Sequence, residues 1–152
     1  MAFKNKMKKR DSIGVLGSGL MGHGIAYTAA LSGFEVLMLD ITKEKARKGL
    51  EKIYKILEKD FERGLIIKQV LHDTKGRIKI SEDYKDLETK NFIIEAIYED
   101  LDIKSEALKT AEKFIKPDGI IASNTSTIPI SILASKIKNS ERFIGIHFFS
   151  PV

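Results

Sequence analysis

The chain has 152 residues, 43% of them hydrophobic and 31% charged, with eleven glycines and no cysteine. That balance argues against intrinsic disorder and fits one globular domain with a sizeable core. The missing cysteines exclude a disulfide scaffold, a thiol nucleophile and a thiolate-bound metal. The formal net charge of +5 traces to Lys4, Lys6, Lys8, Lys9 and Arg10, and the rest of the chain is formally neutral. A basic, solvated tail over residues 1–11 is therefore expected, not a nucleic-acid-binding face, since no aromatic residue interleaves that run and no such motif follows it. No apolar run approaches the roughly 18 residues of a membrane span, and no hydrophobic stretch follows the basic start. The expected location is cytoplasmic, and no metal site is expected.

Ser12–Leu16 is short, apolar and followed by glycine, which predicts a buried strand. Small and apolar residues at helical spacing predict a helix over 20–32, ended by Gly33. A second strand over 36–39 stops at Asp40. Thr42 is placed to cap a long helix with Ala46, Leu50, Ile53, Leu57 and Phe61 on one stripe. Gly64 interrupts it, and a return helix is expected over 65–71. Ile78 and Ile80 suggest a short strand, and 92–97 a firmer one. Leu101, Leu108, Ala111 and Ile115 mark another amphipathic helix, stopped by Pro117-Asp118-Gly119. A strand over 120–122, a helix over 130–137 and a last strand over 143–148 complete the chain. Strands alternating with helices predict an α/β fold, a doubly wound and mainly parallel sheet covered on both faces.

Gly17-Ser18-Gly19-Leu20-Met21-Gly22 joins the first strand to the first helix. In such a unit the first glycine makes the tight turn, the second lets the backbone approach a diphosphate, and the third lets helix and strand pack closely. Unpaired amides and the helix dipole then favour the anion. Asp40 follows Gly22 by eighteen residues, at the end of the second strand. A carboxylate there accepts hydrogen bonds from adenosine ribose hydroxyls and repels a 2′-phosphate, so NAD is expected over NADP. Ile41 follows it, not the arginine that would neutralise such a phosphate.

In an open parallel sheet, ligands bind beyond the carboxyl ends of the strands. Glu95 and Glu99, Ser123 to Ser126, and His147 all fall there. Asn124 and Ser126 also suit plain turns and caps, and a histidine beside two phenylalanines also suits packing. An imidazole has a suitable ordinary pKa to take a hydroxyl proton, and a serine hydroxyl could orient a substrate oxygen.

Four motifs now stand together: GSGLMGHGIA (17–26), EAIYEDLDIK (95–104), ASNTSTIPI (122–130) and GIHFFSPV (145–152). In these the chain resembles the amino-terminal NAD-binding domain of the 3-hydroxyacyl-CoA dehydrogenases, over residues 12–152. The resemblance implies a Rossmann-type domain with a helical hairpin insert that helps to bind coenzyme A. It implies oxidation of L-3-hydroxyacyl-CoA in fatty-acid β-oxidation or butyrate metabolism, with acyl-CoA as the substrate partner. By the same match residues 17–22 hold the NAD diphosphate, Asp40 the ribose, and Glu99 and Lys104 lie along the cofactor. Ser126 contacts nicotinamide and substrate, and His147 is the catalytic base.

Many members have asparagine where this chain has Ser150, a substrate-side position. The shorter serine loses the amide's double donor, so its contact would be weaker or water-mediated. Family members also place a glutamate shortly after HFFxP to partner the histidine, then an all-helical domain that closes the site and forms most of a homodimer. Neither lies in this chain, so the expectation is a domain that binds NAD but turns over weakly or not at all by itself. An uncovered apolar face would also favour self-association. One other reading stands, a non-catalytic nucleotide-binding or interaction module; a dehydrogenase of small hydroxy acids shares the glycine turn but relies on a lysine, and the SNTS and HFFSP motifs argue against it.

Overall fold

A computed structural model describes residues 12–152. The basic tail expected over 1–11 lies outside the described residues. Six strands form one sheet: β1 Ser12–Leu16, β2 Glu35–Leu39, β3 Ile78–Ser81, β4 Phe92–Glu95, β5 Ile120–Ser123 and β6 Phe143–Gly145. Their order is β3-β2-β1-β4-β5-β6 and every pairing is parallel. This is the doubly wound dinucleotide-fold order, with the strand order reversing between β1 and β4. The helices are α1 Leu20–Leu31, α2 Lys43–Glu62, α3 Lys68–Arg77, α4 Leu101–Phe114 and α5 Ile130–Ala134. Among the described residues, no helix is long and apolar enough to cross a membrane.

The two-residue period of a strand explains why the sheet is covered twice. In β2, Val36 and Met38 enter one core with Ile25, Ala26, Ala30, Ile53 and Leu57 of α1 and α2. Leu37 and Leu39 enter the other, with Leu108 and Ala111 of α4 and Leu133 of α5. α1 fits closely because several of its inward positions are small, and Ala26 and Ala30 are fully buried. α2 begins where the Thr42 side chain accepts the Lys45 amide.

Four expected boundaries shift, each for a local reason. The return helix starts at Lys68, not 65: Gly64 takes a left-handed turn, the Leu65 amide closes on the Asp60 carbonyl, and Leu65 and Ile67 stand exposed. Phe61 at the end of the α2 stripe is likewise exposed. The 130–137 helix shortens to α5, and its last residues tighten into three-residue turns, Lys136 to Leu133 and Ile137 to Ala134. β4 ends at Glu95 and β6 at Gly145, so Ile97 and His147 lie in loops beyond the sheet. Tyr84–Thr89, unassigned from the sequence, forms a 3₁₀ turn that buries Leu87 against Gly14 and Ile93.

Candidate functional site

The carboxyl ends of β1, β2, β4, β5 and β6 open onto two adjoining cavities. The larger, of about 1090 Å³, is lined by Gly17, Ser18, Gly19, Leu20, Met21 and Asp40, with α2 and α4 as its walls. At its floor the chain reverses from β1 into α1. Gly17 takes φ +97, and a Cβ there would sit 2.6 Å from the Ala96 carbonyl oxygen. A Cβ on Gly22 would fall 2.0 Å from the Gly17 carbonyl oxygen, so only glycine lets α1 start this close to the strand. Gly19 is different: a Cβ there meets nothing within 4 Å, because its open side faces the cleft. α1 has no side-chain cap and no acid in its first turn. Its leading amides are therefore left for an anion. These features fit a diphosphate.

Asp40 stands at the rim, as the spacing predicts, and also holds the turn. Its Oδ2 accepts the Ser18 amide at 2.8 Å and the Ser18 hydroxyl at 2.6 Å, while Oδ1 accepts the Ile41 amide at 2.8 Å. The Ser18 hydroxyl is also 2.9 Å from the Lys45 carbonyl oxygen, which ties the turn to α2.

The smaller cavity, of about 380 Å³, is lined by Glu99, Lys104, Asn124, Ser126, His147 and Ser150, among others. Met21, Ala96 and Ile97 line both cavities, so the two share a wall. The structure thus brings together Glu99, Lys104, Ser126, His147 and Ser150, which are scattered over fifty residues of sequence. Ser126 and His147 are exposed to the pocket side, and the imidazole lies 4.6 Å from the Phe149 ring, tilted by 52°.

Two further residues organise this pocket. The side-chain oxygen of buried Asn124 accepts the Phe148 amide at 2.8 Å, which fixes the loop carrying His147. Glu95, fully buried, accepts from Lys104 Nζ at 2.6 Å, from the Ile97 amide at 2.8 Å and from the Ser123 hydroxyl. The available signal was a polar residue closing an otherwise apolar strand, which marks Glu95, Ser123 and Asn124 alike. Lys104 is only 1% exposed and is shared between Glu95 and Glu99, the latter at 3.2 Å. Glu99 in turn accepts from Thr125, from the Ser126 and Thr127 amides and from the Thr127 hydroxyl.

Partial burial alone would raise the Glu99 pKa. The Thr125 and Thr127 hydrogen bonds and the Lys104 charge outweigh it and hold the carboxyl at about 2. A depressed folded pKa means stability fully present above the ordinary value of 4.5 and lost as pH falls toward 2. Thermal melts should therefore place Glu99→Gln below the unchanged chain at neutral pH, with the gap closing as pH drops through that window. A gap independent of pH would contradict the assignment.

The family model described as 3-hydroxyacyl-CoA dehydrogenase, NAD binding domain, matches residues 12–152. The chain belongs to this family. NAD is the cofactor of the domain. The chain is 40% identical over 156 residues to the fatty acid oxidation complex subunit alpha of Pseudomonas paraeruginosa, covering 98% of this chain and 22% of that protein. Against the same subunit of Psychrobacter cryohalolentis it is 41% identical over 152 residues, covering 98% and 21%. Among solved structures, FadB2 of M. tuberculosis superposes with TM-score 0.91 at 34% identity, over 95% of this chain and 51% of that one. The (S)-3-hydroxybutyryl-CoA dehydrogenase PaaH1 of Ralstonia eutropha gives 0.91 at 36%, over 94% and 50%. The chain thus spans about a fifth of the length of the curated relatives it matches.

Proposed function

We propose that this domain is the cofactor-binding part of an enzyme that oxidises L-3-hydroxyacyl-CoA to 3-oxoacyl-CoA, in fatty-acid β-oxidation or butyrate metabolism. One observation carries the reading. The cleft whose floor fits a diphosphate adjoins the pocket of Ser126 and His147, with Met21, Ala96 and Ile97 lining both. Bound NAD supplies the hydride acceptor. The leading amides of α1 and the open side of Gly19 would hold its diphosphate, and Asp40 its adenosine ribose. Glu99 and Lys104 would line its nicotinamide end.

Ser126 would donate to the substrate oxygen and hold it near the imidazole. His147 takes the hydroxyl proton on oxidation and returns it on reduction. Ser150, exposed on the far wall, would meet the acyl side. A cytoplasmic location accords with a chain free of cysteine.

NADH titration tests the reading directly, because the chain has no tryptophan and the emission of the dinucleotide reports binding alone. We expect saturable NADH binding at least about tenfold tighter than NADPH. The Asp40 carboxylate and a 2′-phosphate are like charges, and about 1.4 kcal/mol suffices for that ratio. Added acetoacetyl-CoA should then oxidise the bound NADH slowly, in line with a domain that lacks the glutamate partner of its histidine. Equal affinity for the two dinucleotides would remove Asp40 from its role, and no binding of either would remove the site.

A further inference from the structure

Beneath the smaller pocket lie three charges that do not cancel. Glu95 is fully buried and Lys104 nearly so, joined at 2.6 Å. Glu99, with its side chain 35% exposed, lies 3.2 Å from the same ammonium. As two carboxylates and one ammonium the network sums to −1. The pocket's other lining residues include no further acid, lysine or arginine, and the His147 ring is exposed on the opposite loop. A single acid would satisfy Lys104. A neutral amide would also suit the other two partners of Glu95, its oxygen taking the Ile97 amide in place of Oε1 and its nitrogen donating in place of Oε2 to the Ser123 hydroxyl, which can accept as well as donate. Packing and hydrogen bonding thus leave the second negative charge unexplained.

Its consequence follows from the cofactor's two states. The oxidised nicotinamide ring carries one positive charge and the reduced ring none, while the remainder of the dinucleotide is unchanged. We infer that the Glu95–Lys104–Glu99 network sets the oxidation-state preference of the site, its unbalanced negative charge favouring NAD⁺ over NADH. This rests on the proposed placement of the nicotinamide in the smaller pocket. A charge a few ångströms away, partly shielded from water, keeps a substantial Coulomb interaction, whereas across bulk water it would largely vanish. The network is therefore a specificity device: Glu95 tunes the cofactor through Lys104 without reaching the pocket itself.

The test is the ratio Kd(NADH)/Kd(NAD⁺), with NADH measured by its emission and NAD⁺ by displacement of NADH. Contacts to the diphosphate and riboses are common to both forms and divide out, so a residue that only supports the fold moves both affinities and leaves the ratio alone. Glu95→Gln should lower the ratio about tenfold and Glu99→Gln should lower it too, whereas Lys104→Gln should raise it. Ratios within twofold of the unchanged chain in the variants that fold would overturn the inference. The half-exposed Glu99→Gln keeps the test alive should the buried changes prevent folding. Failure of the unchanged chain to bind either form would instead bring down the placement on which the inference rests.

Discussion

Replacing Gly19 with alanine should leave the fold intact and weaken NAD binding at least about tenfold, whereas the same change at Gly22 should damage the fold itself. The backbone at Gly19 is extended with φ −67, outside the left-handed region that favours glycine, and a Cβ there touches no protein atom within 4 Å. Alanine at a compatible position narrows the unfolded ensemble, so Gly19→Ala should melt at the same temperature or slightly higher. The space its methyl group takes is the cleft mouth where a diphosphate would approach the α1 amides. At Gly22 the added Cβ sits 2.0 Å from the Gly17 carbonyl oxygen, which is backbone and cannot swing aside. α1 must then lift from β1. Overpacking of this kind costs about 3 kcal/mol, or roughly 10 °C in a domain of this size. Calorimetric melts and NADH titrations of both variants separate the two effects. A Gly19→Ala chain that binds NADH unchanged would move the diphosphate away from this turn.

The contrast between these two glycines shows which parts of the site a sequence can disclose. Turn chemistry is local: a tight reversal, an open approach and a close helix contact each demand glycine at a fixed offset, so GSGLMG after an apolar strand reads correctly. The place of Asp40 was legible for the same reason, since β2 ends at Leu39 beside the turn. Its grip on the Ser18 amide and hydroxyl was not, because two charged or polar groups twenty-two residues apart show nothing of their pairing until the sheet register is known.

Lys104 illustrates the limit more sharply. It is one of several lysines on α4, and amphipathic spacing gives no reason to bury this one. Burial follows from Glu95, which the parallel register of β4 against β1 and β5 sets at the strand's end, directly under the first turn of α4. Expected strands over 92–97 and 143–148 overran for a related reason. Apolar character continues past Glu95 and Gly145, but β1 ends at Leu16 and β5 at Ser123, and one residue past each strand the Ala96 and Ile146 amides take the last carbonyls of those neighbours. The Phe148 amide turns instead to the side chain of Asn124. Hydrophobic pattern sees burial and is blind to where a neighbour stops.

That last hydrogen bond bears on the chemistry. His147 projects from a loop, not a strand, and its position depends on what anchors Phe148. If His147 moves the substrate proton, His147→Gln should cut acetoacetyl-CoA-dependent oxidation of NADH by at least about a hundredfold, the usual range for loss of a general acid or base. Affinity for NADH should stay within about twofold, because the diphosphate turn and Asp40 lie in the larger cleft, away from the imidazole. Asn124→Ala should give a smaller loss, about tenfold, by releasing the loop while leaving the imidazole present. Single-turnover mixtures at high protein concentration, followed by NADH absorbance, make slow rates measurable and avoid dependence on product release. A His147→Gln chain that oxidises NADH at the unchanged rate would assign the proton to another group. Loss of NADH affinity in step with the rate would instead make His147 a packing residue that keeps the two cavities adjoining.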